Sequence, residues 1–296
     1  MKQIKFNGYN NHKIVMYCFD DIKHSKGVVL IIHDLKQSSK NYFSFAKYLN
    51  QNDYIVYCTD IRLHGKTAEE NNILPIKADY FKDIVNDHYL IIKYLEERYY
   101  KLPVILIGNG FCSYIVNRLI EITDNINIAI MSGSGYNASM SLKIIKPFLN
   151  LVNYTKLQKK LAKTVEKLVY YSYNKKFENK NWLTNDEKIF NEYLKDTNYK
   201  NVLPVNFYTS FFNNIIANDK NINNINKKIK ILLISGSNDP VNNKGKNLNI
   251  VYNKFTKCEI STTLKIFENM KHNIFEELNK DEVYKYVLTY LNKNIN

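Results

Sequence analysis

The residues best suited to catalysis are an aspartate and a histidine that each follow a strand-like run late in the chain. Asp239 stands in the segment SGSNDPV, a few residues after one apolar run, and His272 stands in ENMKHNIF, after the next. Acyl transfer by a triad needs a histidine that takes and returns a proton and a carboxylate that orients it. Singly, an aspartate before proline is typical of a turn and a lone histidine of a surface position. In this order and spacing the two residues predict an acid and a base.

A nucleophile is expected upstream of both residues, and the segment VILIGNGFCSYI at residues 104–115 has the required frame. A β-branched run stops at a turn bracketed by glycines and an amphipathic run follows, which predicts strand, sharp turn and helix. A nucleophile elbow has the pattern G-x-S-x-G, but the middle position here is Gly110. The pair Asn109-Gly110 is also typical of a hairpin turn, an alternative that the helical pattern after it disfavours. Glycine adopts the strained backbone of an elbow almost freely.

The elements that would position these residues alternate along the chain. Residues 3–19 predict two antiparallel strands joined near Asn10 and Asn11, and apolar strand-like runs then alternate with helical patterns. Runs that are apolar throughout are typical of strands covered on both faces. The predicted fold is therefore α/β, with a mostly parallel sheet and helices on both faces. The predicted strands after the first two lie at residues 27–33, 54–59, 104–108, 128–131, 230–236 and 261–267.

The alternation stops between about residues 137 and 228, where only helical candidates rich in Lys, Tyr and Asn occur. We therefore predict a core formed by residues 1–136 and 229–296 and an inserted helical cap at 137–228. Residues 141–180 hold ten lysines against two acidic residues, interleaved with apolar positions. Such a segment can contact an anionic membrane surface peripherally. In the alternative, its apolar stripe packs on the body of the protein and the lysines are only solvated.

Composition narrows the function classes. The 296 residues carry a net charge of +14, but only three of the 42 basic residues are arginine and no nucleic-acid-binding motif accompanies them, so no nucleic-acid partner is predicted. The four cysteines are widely spaced and form no metal motif, which predicts buried thiols and neither a metal nor a cofactor. Without a signal-like apolar segment, the expectation is a soluble, cytoplasmic protein.

Several ordered motifs resemble the monoacylglycerol lipase and lysophospholipase branch of the α/β-hydrolases, from about residue 12 onward. His33-Asp34 stands where that branch has HG, and DIRLHG at 60–65 matches its D-x-R-G-H-G. The segment SGSG at 132–135 resembles its SG-x-G. Further similarities are WLTND at 182–186, YLKD at 193–196, SGSNDPV at 235–241, KGK at 244–246 and KHNI at 271–274. The resemblance implies an α/β-hydrolase fold with an inserted helical cap.

The resemblance also implies roles for individual residues. Asp239 and His272 correspond to the acid and base, and the backbone N–H groups of Leu35 and Phe111 to the oxyanion hole. The implied ligand is a monoacyl lipid or small ester. Aromatic residues of the predicted cap would line an acyl tunnel or form only the core of the cap; they are Trp182, Tyr208, Phe211 and Phe212.

Four positions depart from the pattern of the branch: Asn109 replaces His, Gly110 replaces the nucleophilic Ser, Cys112 replaces Gly, and Asp34 replaces Gly. Asp34 would put a carboxylate beside the oxyanion hole, where it opposes a developing negative charge. Cys112 and Ser113 lie further into the helix and are not expected to present an atom to the histidine. A histidine-activated water would leave only vestigial activity.

Two explanations follow for the missing nucleophile. In the first, the protein is a lipid-ester hydrolase in which Gly110 was introduced. In the second, it is a natural pseudoenzyme that keeps the pocket as a lipid-binding or partner-binding module. The additional departures at Asn109, Cys112 and Asp34 favour the second explanation.

Overall fold

A computed structural model describes residues 1–71, 78–134, 158–217 and 221–295. Its centre is an eight-stranded sheet in the order β1-β2-β4-β3-β5-β6-β7-β8. β1 pairs antiparallel with β2 and β2 antiparallel with β4, whereas all the other neighbours are parallel. The strands are β1 Lys2–Asn7, β2 Lys13–Phe19, β3 Gly27–Ile32, β4 Tyr54–Thr59, β5 Val104–Asn109, β6 Ile128–Ser132, β7 Lys230–Gly236 and β8 Thr262–Phe267.

The central strands are buried along their whole length, as their continuously apolar sequences predict. Every residue of β3, β4, β5 and β6 is buried. The register places Ile32 opposite Gly108 and Asn109 opposite Ser132, so β3, β5 and β6 end at the same edge of the sheet. Because loops at the carboxyl ends of parallel strands share one edge, the segments after β3, β5, β6, β7 and β8 can converge there.

Helices cover both faces of the sheet, which confirms the predicted layers. One core lies under α3, α4 and α9, and the other under α1 and α10. The helices are α1 Phe43–Asn50, α2 Gly65–Glu70, α3 Tyr80–Arg98, α4 Phe111–Ile120, α5 Gln158–Asn174, α6 Glu187–Lys195, α7 Thr197–Lys200, α8 Val205–Ala217, α9 Lys246–Lys257 and α10 Lys280–Asn294. Sequence patterning missed α2, since GKTAEE shows no apolar periodicity.

Between β6 and β7, the described residues form helices joined by turns and loops. Helices α5 to α8 lie within 158–217, and this described stretch contains no strand. The first part of the basic segment predicted at 141–180, up to residue 157, lies outside the described residues, as does Gly135 of the SGSG motif. Among the described helices, none is long and apolar enough to cross a membrane.

Candidate active site

His272 and Asp239 meet at the carboxyl edge of the sheet, after β8 and β7. His272 Nδ1 lies 2.9 Å from Asp239 Oδ2, and both residues are buried. The Ser235 hydroxyl donates to the same carboxylate oxygen at 2.9 Å, while the Val241 N–H donates to Asp239 Oδ1 at 2.8 Å. These donors fix the carboxylate, and the carboxylate fixes the orientation of the imidazole.

Gly133 explains why the SG-x-G motif follows β6. Its φ is +60°, and a Cβ at this position would lie 2.7 Å from Cε1 of His272 and 3.0 Å from its Nδ1. Only glycine leaves room for the ring, because a contact this short does not occur for real Cβ atoms. The tip of β6 therefore forms one wall of the histidine site.

Gly110 forms the turn between β5 and α4. Its φ of +50° and ψ of −115° agree with the strained turn that the sequence predicts. The Gly110 N–H donates to the Ser132 carbonyl at 2.9 Å, which ties the turn to the neighbouring strand. Gly110 is the N-cap of α4, but it has no side chain to satisfy the first amides of that helix.

Asp34, from the loop after β3, occupies the space beside this turn. A Cβ on Gly110 would lie 2.2 Å from each of the Asp34 atoms Cγ, Oδ1 and Oδ2. Asp34 Oδ1 accepts from the Phe111 N–H at 2.6 Å, and Asp34 Oδ2 lies 3.0 Å from Nε2 of His272. The carboxylate therefore joins the start of α4 to the imidazole, at a helix N-terminus where negative charge is stabilised.

His272 lies between two carboxylates and is positively charged at neutral pH. Burial opposes the charged form, but the attraction and hydrogen bonds of Asp239 and Asp34 outweigh burial and raise the pKa of His272 to about 10. Both ring nitrogens then carry protons, one donated to each carboxylate. An imidazolium in this state holds a proton and has no lone pair with which to take another.

Two further histidines, His33 and His64, lie at the Asp34 loop and, unlike His272, are neutral. His33 Nε2 accepts from the Ile61 N–H at 3.1 Å, and His64 Nε2 accepts from the Lys36 N–H at 3.1 Å. Burial lowers the pKa of His33 to about 4 and that of His64 to about 3. As neutral acceptors they tie the loop after β3 to the loop after β4, which explains the histidines in His33-Asp34 and in DIRLHG.

Cys112 and Ser113 are buried further along α4, and among the described residues no hydrogen bond joins either side chain to His272. The Ser113 hydroxyl donates to the Gly110 carbonyl at 2.6 Å. Cys112 is fully buried, and burial together with the nearby Asp34 charge raises the pKa of its thiol well above the usual value. Neither side chain is available as an activated nucleophile.

A cavity of about 500 Å³ opens above Asp34 and His272. Leu35 and Phe111 line it; the Phe111 N–H is taken by Asp34, whereas within the described residues no acceptor binds the Leu35 N–H. Trp182 lines the cavity with its ring centroid 5.0 Å from that of His272, and Phe211 lines it 4.6 Å from Phe111. The other aromatic residues predicted for the tunnel, Phe212 and Tyr208, are buried beside the cavity without lining it.

Sequence reasoning missed several lining residues on α5. Tyr170 and Tyr173 face the cavity and pack against Trp182, with ring centroids 5.8 and 5.2 Å away. Their spacing of three residues places them on one face of a helix, a signal that was present in the sequence. Lys36 reaches from the Asp34 loop to Glu166 of the same helix.

A mostly parallel eight-stranded sheet, with a histidine, an aspartate and a strand-turn-helix at its carboxyl edge, defines an α/β-hydrolase fold. Residues 23–279 match the family described as "Serine aminopeptidase, S33" (Hydrolase_4), and the chain belongs to this family. The expected fold class is thereby confirmed. No curated protein matches the chain.

Solved structures of similar fold cover nearly the whole chain. A thermostable carboxyl esterase from Bacillus coagulans in complex with glycerol has a TM-score of 0.87 and 20% identity, over 100% of this chain and 99% of that one. A soluble variant of monoglyceride lipase from Saccharomyces cerevisiae, in complex with a substrate analog, has a TM-score of 0.71 and 18% identity, over 100% and 95%. A monoacylglycerol lipase from Paleococcus ferrophilus has a TM-score of 0.69 and 18% identity, over 94% and 98%.

Proposed function

We propose that the protein binds a monoacyl lipid or a small ester in this cavity and does not hydrolyse it through a serine triad. In this proposal Gly110 stands where the family pattern has the nucleophile, and Asp239 and His272 are the retained acid and base. The observation that carries the proposal is the Asp34 carboxylate. It fills the space that a side chain at position 110 requires, and it takes the Phe111 N–H that an oxyanion would use.

The charge of His272 supports the same conclusion. A general base must be neutral to accept a proton from a nucleophile or from water. With a pKa of about 10, His272 is already protonated at neutral pH and is bonded to Asp34 through the nitrogen that would act as the base. This argues against fast turnover through a histidine-activated water as well as through serine.

The walls of the cavity support an apolar chain as ligand. Aromatic rings from α4, α5 and α8 surround the space above Asp34, an arrangement typical of sites that bury most of a small apolar ligand. The esterase from Bacillus coagulans holds glycerol and the yeast monoglyceride lipase holds a substrate analog. A ligand of the same class in this cavity is consistent with those relatives of similar fold.

The alternative is a lipid-ester hydrolase, of the monoacylglycerol lipase or lysophospholipase type, whose serine was exchanged for Gly110. A single exchange at position 110 does not account for Asp34, which is a second change that occupies the same space. The contact between the two positions therefore favours a natural binding module.

The remaining expectations concern the inserted segment. We propose that residues 137–228 form a cap over the cavity, that the cap touches anionic membranes peripherally, and that the protein is cytoplasmic. Lys163, Lys167, Lys175 and Lys176 are exposed, which supports such a surface. Cosedimentation with vesicles would test the contact: binding to vesicles containing phosphatidylserine is expected, and equal binding to pure phosphatidylcholine vesicles would contradict it.

The only tryptophan of the chain, Trp182, lines the cavity and reports directly on ligand binding. We expect monooleoylglycerol, added below its aggregation concentration, to change the Trp182 fluorescence with saturation, while the same sample releases no free oleate at enzymatic rates. Saturable binding without turnover supports the proposal. Turnover at ordinary enzyme rates, or no saturable signal, would overturn it.

Two adjacent phenylalanines provide a matched control. Phe211→Ala removes a ring that lines the cavity, whereas Phe212→Ala removes a buried ring that does not line it. We expect Phe211→Ala to weaken monooleoylglycerol binding by about tenfold and Phe212→Ala to change it by less than about threefold. Equal effects would mean that the signal reports on folding and not on the cavity.

A further inference from the structure

We call Asp34, Leu35, Phe111 and His272 the floor of the cavity. This floor contains a carboxylate, which accepts hydrogen bonds, at the place where a site that hydrolyses esters presents hydrogen-bond donors. Ester hydrolysis needs N–H donors that receive a negatively charged oxygen. Here Asp34 Oδ1 already accepts from the Phe111 N–H at 2.6 Å, and Asp34 Oδ2 is held by His272 Nε2 at 3.0 Å. Two donors that face this part of the cavity, the Phe111 N–H and His272 Nε2, are thus engaged by a carboxylate of the protein itself.

The charges around the floor add to this effect. Two acidic side chains, Asp34 and Asp239, flank the single imidazole of His272, so acidic groups outnumber basic groups in this buried cluster. The nearest lysine side chain of the same loop, Lys36, is paired with Glu166 and offers no free positive charge to the floor. Lys167 and Lys200 line the cavity as exposed side chains. A negatively charged group entering the cavity therefore meets an electrostatically unfavourable floor.

The floor retains the capacity to bind a neutral polar group. A carboxylate has about four acceptor sites, and Asp34 makes one hydrogen bond through each of its oxygens. Leu35 also lines the cavity, and its N–H binds no acceptor within the described part of the chain. Among the residues that the structure describes, the floor thus combines unused acceptor sites on Asp34 with an unused donor, the Leu35 N–H.

We infer that Asp34 is a specificity-determining residue, which makes the cavity select single-chain lipids whose polar group donates hydrogen bonds and reject free fatty-acid carboxylates. The inference rests on the proposed lipid-binding function and deepens it. A monoacylglycerol satisfies both groups of the floor, because its hydroxyls donate to Asp34 and its ester carbonyl accepts from the Leu35 N–H. A fatty-acid anion carries no donor and places its charge beside that of Asp34.

The test compares two ligands that share a sixteen-carbon chain, monopalmitoylglycerol and palmitate, titrated at neutral pH below their aggregation concentrations and followed through Trp182 fluorescence. We expect the wild-type protein to prefer monopalmitoylglycerol by about tenfold or more. Asp34→Asn keeps the size of the side chain and removes its charge, so the preference should fall at least about tenfold. Glu268→Gln makes the same charge change at an exposed position outside the cavity and should leave the preference unchanged.

The outcomes separate the inference from the function on which it rests. If both lipids bind the wild-type protein equally, or if Asp34→Asn leaves the ratio unchanged, the selectivity is wrong while lipid binding stands. If Glu268→Gln changes the ratio as much as Asp34→Asn does, the net charge of the protein and not Asp34 sets it, which also overturns the inference. If neither lipid binds any variant, the proposed function fails and the inference fails with it.

Discussion

The two halves of the site differ in how they are completed. In the half after β7 and β8, Asp239 holds His272 at 2.9 Å and is itself held by Ser235 and Val241, as an acid and histidine pair requires. In the half after β3 and β5, Gly110 leaves a space that the Asp34 carboxylate enters. The comparison shows that His272 is held on both sides, because Asp239 lies at its Nδ1 and the Asp34 carboxylate lies at its Nε2.

The largest expected effect comes from giving the half of the site after β3 and β5 a serine and removing its carboxylate. Asp34→Gly combined with Gly110→Ser empties the oxyanion hole and adds a hydroxyl beside an intact histidine and aspartate, so hydrolysis of short-chain monoacyl esters should rise by about 10³-fold. Gly110→Ser alone should raise it less than about tenfold, because the new Cβ would lie 2.2 Å from the Asp34 carboxylate.

The measurement is the initial rate of four proteins: the wild type, Asp34→Gly, Gly110→Ser and the double variant. Circular dichroism verifies that each is folded. His272→Gln added to the double variant is the control, since it removes the proton carrier and should abolish the gain. A folded double variant without a gain would mean that the half after β7 and β8 is not competent. A full gain from Gly110→Ser alone would mean that Asp34 does not block the site.

A smaller effect is expected in stability. Gly110→Ala forces a side chain into a positive-φ position and against Asp34, so it should lower the free energy of unfolding by about 2–4 kcal/mol. In the Asp34→Gly background only the backbone strain remains, and the cost should fall to about 1–2 kcal/mol. Urea unfolding of the four proteins measures the coupling between the positions, and additive effects would show that they do not compete for space.

The charge of His272 predicts a pH dependence of similar or smaller size. Its folded pKa of about 10 exceeds the ordinary value of 6.5, so its stabilisation is complete below pH 6.5 and is lost as the pH rises toward 10. Asp34→Asn removes one of the two carboxylates that hold the proton. Between pH 6.5 and 10 the wild-type protein should therefore lose about 2 kcal/mol more of its unfolding free energy than Asp34→Asn does.

Urea unfolding of both proteins at the two pH values tests this difference, and other titrating groups contribute equally to each protein. The ring proton signals of His272 in NMR spectra give its pKa directly. A value near or below 6.5 in the wild-type protein would contradict the charged state and the pairing with Asp34.

The smallest expected effect concerns thiols. Cys18, Cys58 and Cys112 are buried, whereas Cys258 is partly exposed. Because buried thiols in apolar surroundings react slowly, iodoacetamide should add one group to the native protein, at Cys258. Mass spectrometry of the digested protein locates the label. Fast labelling of Cys112 would show that its thiol is reactive, and Cys112 would then be a candidate nucleophile in the half of the site after β3 and β5.

Much of the fold was predictable because burial on both faces leaves a continuous apolar run in each central strand. The meeting of Asp239 and His272 at one edge of the sheet was predictable from their order after two such runs. The bond between Asp34 and His272 was not, since it joins residues 238 positions apart and depends on how far a loop side chain reaches across the sheet edge. The sequence indicated a carboxylate near the oxyanion hole, but a residue pattern does not contain the hydrogen bonds that the carboxylate accepts.

Under the proposed function, in which glycine replaced a serine at position 110, the 2.2 Å overlap between a side chain at position 110 and the carboxylate at position 34 constrains the order of the two changes. The carboxylate cannot settle in this place while position 110 carries a side chain, so on this proposal the change to glycine came first or together with it. Once the carboxylate bonds His272 and Phe111, a reversion at position 110 alone is blocked by the overlap. The second substitution therefore makes the first one hard to reverse.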